Sequence, residues 1–280
     1  IFDGLKEGAL TMQQGGGVGY DFSTLRPRGA PAAHAGRQSS GPVSFMRIWD
    51  AMCATLLSTG SRRGAMMATL RCDHPDIEEF VDAKRDGREL RNFNLSVLVS
   101  DGFMRAVQND EQWPLVFPGV DGAETVQRAW PGYDGETACS VQRRIRAREL
   151  WQRIMRATYD TAEPGVLFID RINAENNLYY RETICATNPC GEIPLPPYGA
   201  CDLGSINLTQ FIAYPFTDRA VFDWSSFEET VQLAVRFMDN VITVSKFPLP
   251  AQQAQAAATR RIGLGVTGVA DALLFLGLRY

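Results

Sequence analysis

A carboxamide, a thiol and a carboxylate fall within five residues in Asn188-Pro189-Cys190-Gly191-Glu192, and a second thiol, Cys201, follows eleven residues after the first. Alternate side chains of an extended segment share a face, so Asn188, Cys190 and Glu192 are expected on one side of the backbone. A hydrolytic cysteine ordinarily takes a histidine as its base, yet the only histidines are His34 and His74, both remote in sequence. A carboxylate in that place suits proton abstraction from a substrate hydroxyl, with sulfur in a role other than acyl transfer. The structural alternative for such a triplet makes Cys190 a small apolar core residue and Glu192 a solvated loop charge. Pro189, Pro194, Pro196 and Pro197 stiffen the stretch, and its glycines allow tight turns.

The elements that must hold these residues belong to an ordinary globular chain. It has 280 residues, 45% hydrophobic and 21% charged, which is enough for a sizeable buried core. A formal net charge of -4 argues against a general nucleic-acid binder, whose footprint would be basic. Small phosphate ligands need only local arginines or backbone amides and stay open. No apolar run approaches the roughly 18 to 20 residues of a membrane span, and no secretory signal pattern opens the chain. Six cysteines are sparse for this length, so a reducing cytoplasm and redox or catalytic thiols are expected rather than disulfide staples. The chain opens in mid-pattern at Ile1 and stops within an apolar segment, and it is read as a piece truncated at both ends.

Periodicity predicts a helix over Phe2 to Met12, broken by Gly15 to Gly19, with a mixed loop to about Gln38. Ser44 to Ser58 has helical spacing, Ala65 to Leu70 and Phe93 to Val99 read as strands, and Asp76 to about Lys84 follows Pro75 as a helix. A further helix is expected from about Gly102, a hairpin or excursion over Gln112 to Tyr133, and a charged helix from Val141 to about Thr158. Short strands are expected at Val166 to Ile169 and Leu203 to Leu208, a helix at Phe227 to Val244, and a glycine-rich turn after Arg260-Arg261. Alternating strands and helices indicate an α/β architecture.

The run Asn188-Pro189-Cys190-Gly191-Glu192, continued by Leu195-Pro196-Pro197-Tyr198-Gly199-Ala200-Cys201-Asp202-Leu203-Gly204-Ser205-Ile206-Asn207-Leu208, closely resembles the finger-loop region of ribonucleotide reductases. Other similar blocks occur in the family's order: Gln14 to Gly19, Ser40 to Met46, Arg62 to Ala65, His74 to Phe80, Asn92 to Val97 and Arg261 to Gly265. The resemblance implies part of a ten-stranded α/β barrel of two parallel half-sheets, with a central finger loop carrying the radical cysteine. It implies a single catalytic domain over 1–280, with effector and specificity loops in about 1–70 and the finger loop and redox strand in about 183–208.

By the same resemblance Cys190 carries a thiyl radical that removes the 3′-hydrogen of a ribonucleoside di- or triphosphate. Glu192 is the general base for the 3′-hydroxyl, Asn188 orients the substrate hydroxyls, and Cys201 is one of two reducing thiols, its partner lying before residue 1. Gly17 approaches the substrate closely, so substrate contacts are expected from Gly17, Asn188, Pro189, Cys190, Gly191, Glu192 and Arg62. Effector contacts are expected from Arg26, Ser61 and Arg63, in loops near a helix that pairs subunits, which implies a homodimer. The product would serve DNA synthesis, and a thioredoxin-like dithiol would restore the thiols. The blocks look more like the adenosylcobalamin-dependent type than the aerobic type, which takes its radical from a separate metal-containing subunit. Cobalamin would be bound mainly outside this stretch.

The residues also bear on three rival functions. Gly263-Leu264-Gly265-Val266-Thr267-Gly268 fits the dinucleotide-binding spacing, but that fingerprint requires a preceding strand and a later acidic residue. A zinc site is disfavoured by the absence of any Cys-x-x-Cys pair. A nucleotide-binding regulatory module without catalysis leaves the grouping of Asn188, Cys190, Glu192 and Cys201 unexplained.

Overall fold

The computed structural model describes residues 1–31, 36–56 and 64–280, which form two compact units, Ile1–Pro197 and Tyr198–Tyr280. The first unit runs α1 (Phe2–Gln13), β1 (Val18–Asp21), α2 (Pro42–Leu56), β2 (Met66–Arg71), α3 (Ile77–Asp82), β3 (Phe93–Val99) and α4 (Asp101–Asn109). It continues through β4 (Gln112–Pro118), β5 (Thr125–Ala129), β6 (Glu136–Arg146), α5 (Ala147–Thr161), β7 (Gly165–Phe168) and α6 (Ile169–Ala174) to the short strands β8 (Ala186–Thr187) and β9 (Pro194–Leu195).

Strands β1, β2, β3 and β7 make a parallel sheet in that order. The central strands β2 and β3 are near-continuously buried, the pattern of a parallel sheet covered on both faces. Their side chains divide with a period of two. Met66, Ala68, Leu70, Phe93, Leu95, Val97 and Val99 enter the core, against Trp49, Phe80, Phe103, Leu150 and Ile154 of helices α2 to α5. The other face carries two rows in register: Gly19–Met67–Asn94, and Asp21–Thr69–Ser96–Gly165. This second face is the floor of the site.

Two expectations are corrected in this unit. The glycine-rich stretch ends in a strand, because Val18 to Asp21 pair with Met66 to Thr69 rather than continuing as loop. The helix expected from Val141 begins only at Ala147, while Val141 to Arg146 remain in β6. Their pairing with β4 outweighs the local charged pattern, and Arg144 and Arg146 find Glu124 and Asp110 as sheet-side partners. Antiparallel β4, β6 and β5 form the anticipated excursion, with a satellite core of Val116, Phe117, Trp130 and Cys139.

His74 ties this unit together from inside. Its Nδ1 accepts from the Asp76 N–H (3.0 Å), so the proton sits on Nε2, which donates to the Leu25 carbonyl (3.0 Å). Burial pushes the imidazole down to about 4, and the neutral ring is the folded form. Since the unfolded ring titrates near its ordinary 6.5, His74 contributes fully above that pH and its contribution is lost as the pH falls toward 4. Urea unfolding at pH 6.5 and pH 5 should show a loss of about 2 kcal/mol that is missing in His74→Gln. A flat or opposite difference would contradict the neutral assignment.

The second unit comprises β10 (Asp202–Asn207), β11 (Ile212–Ala213), β12 (Val221–Phe222), α7 (Trp224–Val244), α8 (Pro250–Thr259), β13 (Ile262–Thr267) and α9 (Val269–Phe275). Strands β10 and β13 pair in parallel, and α7 packs on both with Met238 and Ile242 buried. Helix α7 starts earlier than Phe227 because the Asp223 carboxylate caps it, accepting from the Ser226 N–H at 3.1 Å. The expected glycine-rich turn is instead strand β13. A Cβ on Gly263 would lie 2.6 Å from Leu203 Cδ2, so the glycine permits the close strand approach. Helix α8, not a strand, precedes it, which removes the context a dinucleotide fingerprint needs. Among the described residues no helix is long and apolar enough to cross a membrane.

Candidate active site

Asn188 to Ile193 form the tip of the β8–β9 hairpin, in which Ala186 faces Leu195 and Thr187 faces Pro194. The tip is closed by Asn188. Its N–H donates to the Ile193 carbonyl (3.2 Å), its carbonyl accepts from the Gly191 N–H (3.1 Å), and its Oδ1 accepts from the Ile193 N–H (2.9 Å). Gly191 takes φ +90°, a conformation that an L side chain rarely adopts. The stretch is therefore a tight turn rather than the extended segment expected, and its reactive side chains do not follow simple strand alternation. The Asn188 oxygen is engaged in the loop, which leaves its Nδ2, without a hydrogen bond among the described residues, to face a ligand.

The arm leading to the tip lies over β1 in the opposite direction. Cys185 lies near the buried Asp21, the Thr187 carbonyl sits over Gly19, and the Pro189 ring sits over Gly17. A Cβ on Gly19 would meet the Thr187 oxygen at 1.8 Å, and one on Gly17 would meet Pro189 Cγ at 2.5 Å. Alternate glycines thus open a track for a second backbone. Gly17 does mark a close approach, but its neighbour here is the proline ring of the hairpin. Asn94 of β3 donates from Nδ2 to the Pro189 carbonyl at 2.6 Å, and Met67 of β2 lies beneath Gly191.

Cys190 and Glu192 are both exposed at this tip, whereas Pro189 is buried. A dry surrounding for Glu192 is not present in the chain by itself. Behind the tip, burial and the neighbouring Asp21 push the Cys185 thiol up to about 12, so it stays protonated and apolar in character. Burial also raises the Asp21 carboxyl, against hydrogen bonds from Ser23 and the charge of Arg71. Cys53 and Cys72 are core residues.

Cys201 lies in the second unit, immediately before β10, on a cavity of about 230 Å³ shared with Ser245, Lys246, Phe247 and Arg261. Burial raises its thiol and the Arg261 guanidinium pulls it back toward the thiolate. Among the effector-loop candidates, Arg26 donates from its guanidinium to the Pro31 carbonyl (2.9 Å), and its own carbonyl accepts from Ser39 Oγ (2.9 Å). It braces the loop from within. Pro27 to Pro31 border a cavity of about 440 Å³ that also touches Asp76, Gln142 and Arg143, a volume suited to a small ligand. Ser61, Arg62 and Arg63 fall outside the described residues.

The structure thus brings together Gly17, Asn188, Pro189, Cys190, Gly191 and Glu192 on one sheet face. Reasoning from sequence missed Gly19 and Asn94, although both sat in blocks already singled out. The signal was the period-two spacing of Gly17 and Gly19, and a polar Asn94 inside an apolar strand. The sequence profile described as ribonucleotide reductase, barrel domain, matches residues 1–280. The chain belongs to the ribonucleotide reductase barrel-domain family. It is 44% identical over its whole length to a vitamin B12-dependent ribonucleoside-diphosphate reductase of Mycobacterium tuberculosis (strain CDC 1551 / Oshkosh), of which it covers 37%. It is 40% identical to the protein of the same description from Thermoplasma acidophilum, covering 34% of it. A ribonucleoside-diphosphate reductase subunit alpha of Chlamydia trachomatis is 27% identical, with 28% of its length covered. The chain therefore spans about a third of the length of the relatives it matches.

Proposed function

We propose that this chain is the radical-bearing core of a ribonucleotide reductase that converts ribonucleoside diphosphates to deoxyribonucleotides. The observation that carries the reading is the pinned hairpin, which presents Cys190 and Glu192 at an exposed tip over a parallel sheet. In the overall reaction two thiols become one disulfide, a C2′–OH becomes C2′–H, and water is released. Cys190, as a thiyl radical, takes the 3′-hydrogen and later returns it. Glu192 accepts the 3′-hydroxyl proton, and the Nδ2 of Asn188 orients the hydroxyls. Cys201 supplies reducing electrons together with a second thiol outside this stretch, and a thioredoxin-like dithiol restores both.

Adenosylcobalamin is the proposed radical source, a reading supported by the Mycobacterium tuberculosis and Thermoplasma acidophilum relatives, which are described as vitamin B12-dependent. The exposed Cys190 tip fits a source that must approach the sulfur from outside the hairpin. When bound, the cofactor supplies an unpaired electron by homolysis of its cobalt–carbon bond. The residues holding it are proposed to lie mainly beyond this stretch. The effector site is proposed at the Arg26 loop with Ser61 and Arg63, Arg62 facing the substrate, in a homodimer working in a reducing cytoplasm. The two units are proposed as parts of one catalytic barrel with the hairpin as its finger loop.

The full-length protein should reduce ribonucleoside diphosphates with adenosylcobalamin and a dithiol alone. Activity that requires an added metal-containing subunit would replace the cobalamin reading with the aerobic one.

A further inference from the structure

We propose that Asn94 is a positioning residue for Cys190, fixing the tip of the hairpin through the carbonyl one residue before the thiol. The inference rests on the radical role given to Cys190 above and adds a residue to that machinery. Asn94 is the one exposed position of β3, whose burial otherwise runs unbroken. Asparagine is depleted in strands, and Phe93 and Leu95 on either side face the core. Its side chain therefore adds nothing to the core and points to the face on which the hairpin lies. There Nδ2 donates to the Pro189 carbonyl at 2.6 Å.

Position matters as much as distance. Pro189 has no N–H and cannot tie itself down as a donor, so its carbonyl is the polar handle adjoining Cys190. The Pro189 ring is wedged over Gly17, just before β1, and Met67 of β2 supports Gly191. Asn94 completes the set from β3, and its register partner in the sheet is Met67. Gly17 ahead of β1, Met67 of β2 and Asn94 of β3 thus hold the turn on both sides of the sulfur. Hydrogen-atom transfer depends steeply on the separation of the reacting atoms, so loosening one support should slow chemistry more than it weakens substrate binding.

The test uses the full-length protein with adenosylcobalamin, a dithiol and a ribonucleoside diphosphate. Asn94→Ala should lower kcat about 10- to 100-fold while KM moves by less than about twofold. Asn94→Asp keeps the shape, but its carboxylate faces the Pro189 carbonyl and cannot donate. Its kcat relative to wild type should be as low as that of Asn94→Ala at neutral pH and should recover as acidification protonates it. Hydrogen exchange at the Gly191 and Ile193 amides should speed up in Asn94→Ala, while the melting temperature stays close to wild type. Unchanged kcat in Asn94→Ala, or a flat Asn94→Asp ratio across pH, would overturn the proposal. If the wild-type protein reduced no ribonucleotide, the functional reading would fail, and unchanged exchange at the hairpin would separately sink the role of Asn94.

Discussion

Gly19→Ala should lower deoxyribonucleotide formation by the full-length enzyme about 100-fold without touching any group proposed to react. The added methyl would sit 1.8 Å from the Thr187 oxygen and 3.0 Å from its carbon. Both are backbone atoms, so no side chain can swing aside. Either β1 leaves its pairing with Met66 to Thr69 or the hairpin lifts from the sheet. Lifting is the easier response, because the hairpin is not a strand of that sheet and is tied to it by side-chain bonds such as Asn94 Nδ2 to the Pro189 carbonyl and Thr69 Oγ1 to the Cys185 carbonyl. It would carry Pro189 away from Gly17 and Asn94, and with it the Cys190 sulfur. Overpacking of this kind destabilises by about 1–3 kcal/mol, whereas misplacement of a reacting atom by about 1 Å can lower turnover about 100-fold. Turnover should therefore fall far more than stability. Gly4→Ala in α1 is the matched control, since its methyl meets nothing within 4 Å. It should leave activity intact and slightly favour the helix. Equal activity in Gly19→Ala and wild type would mean that the hairpin is not held where it is described.

Much of the fold was readable because its strongest signals are local. Phe93 to Val99 is apolar enough to be read as a buried strand, and that is its observed extent. Helices α1, α2 and α7 follow apolar stripes, with boundaries moved by capping groups such as Asp223. The misreadings share one cause, which is pairing with a distant segment. Gly17 to Gly19 and Gly263 to Gly268 look like turns to any local reading. Val18–Gly19 and Gly263–Thr267 become strand because β2 and β10 offer ladders, and both use glycine where another backbone or side chain comes too near. Val141 to Arg146 looks helical by charge spacing but is captured by β4.

The site was legible in its chemistry and not in its support. Asn188, Cys190 and Glu192 declare themselves by residue type and spacing, and Cys201 by its place in the same run. That Asn188 closes the turn through its own side-chain oxygen depends on a fold-back no alternation pattern reveals. Asn94 is 95 residues from Pro189 along the chain, and the link exists only once three strands lie side by side. Cys185 is close to Cys190 in sequence, and burial beside Asp21 keeps its thiol protonated.

The second large effect concerns the sulfur itself. Serine at position 190 preserves the turn, because Gly191 and the Asn188 bonds that close it do not involve the Cys190 side chain. It removes the chemistry, because an O–H bond is much stronger than an S–H bond and no longer matches a ribose C–H. The most direct measurement compares wild-type and Cys190→Ser full-length protein, with adenosylcobalamin and dithiol, for deoxyribonucleotide formation and for nucleotide binding in parallel. Cys190→Ser should give product at assay background, with nucleotide binding like wild type. Deoxyribonucleotide formation at an appreciable fraction of the wild-type rate would contradict the radical role of Cys190.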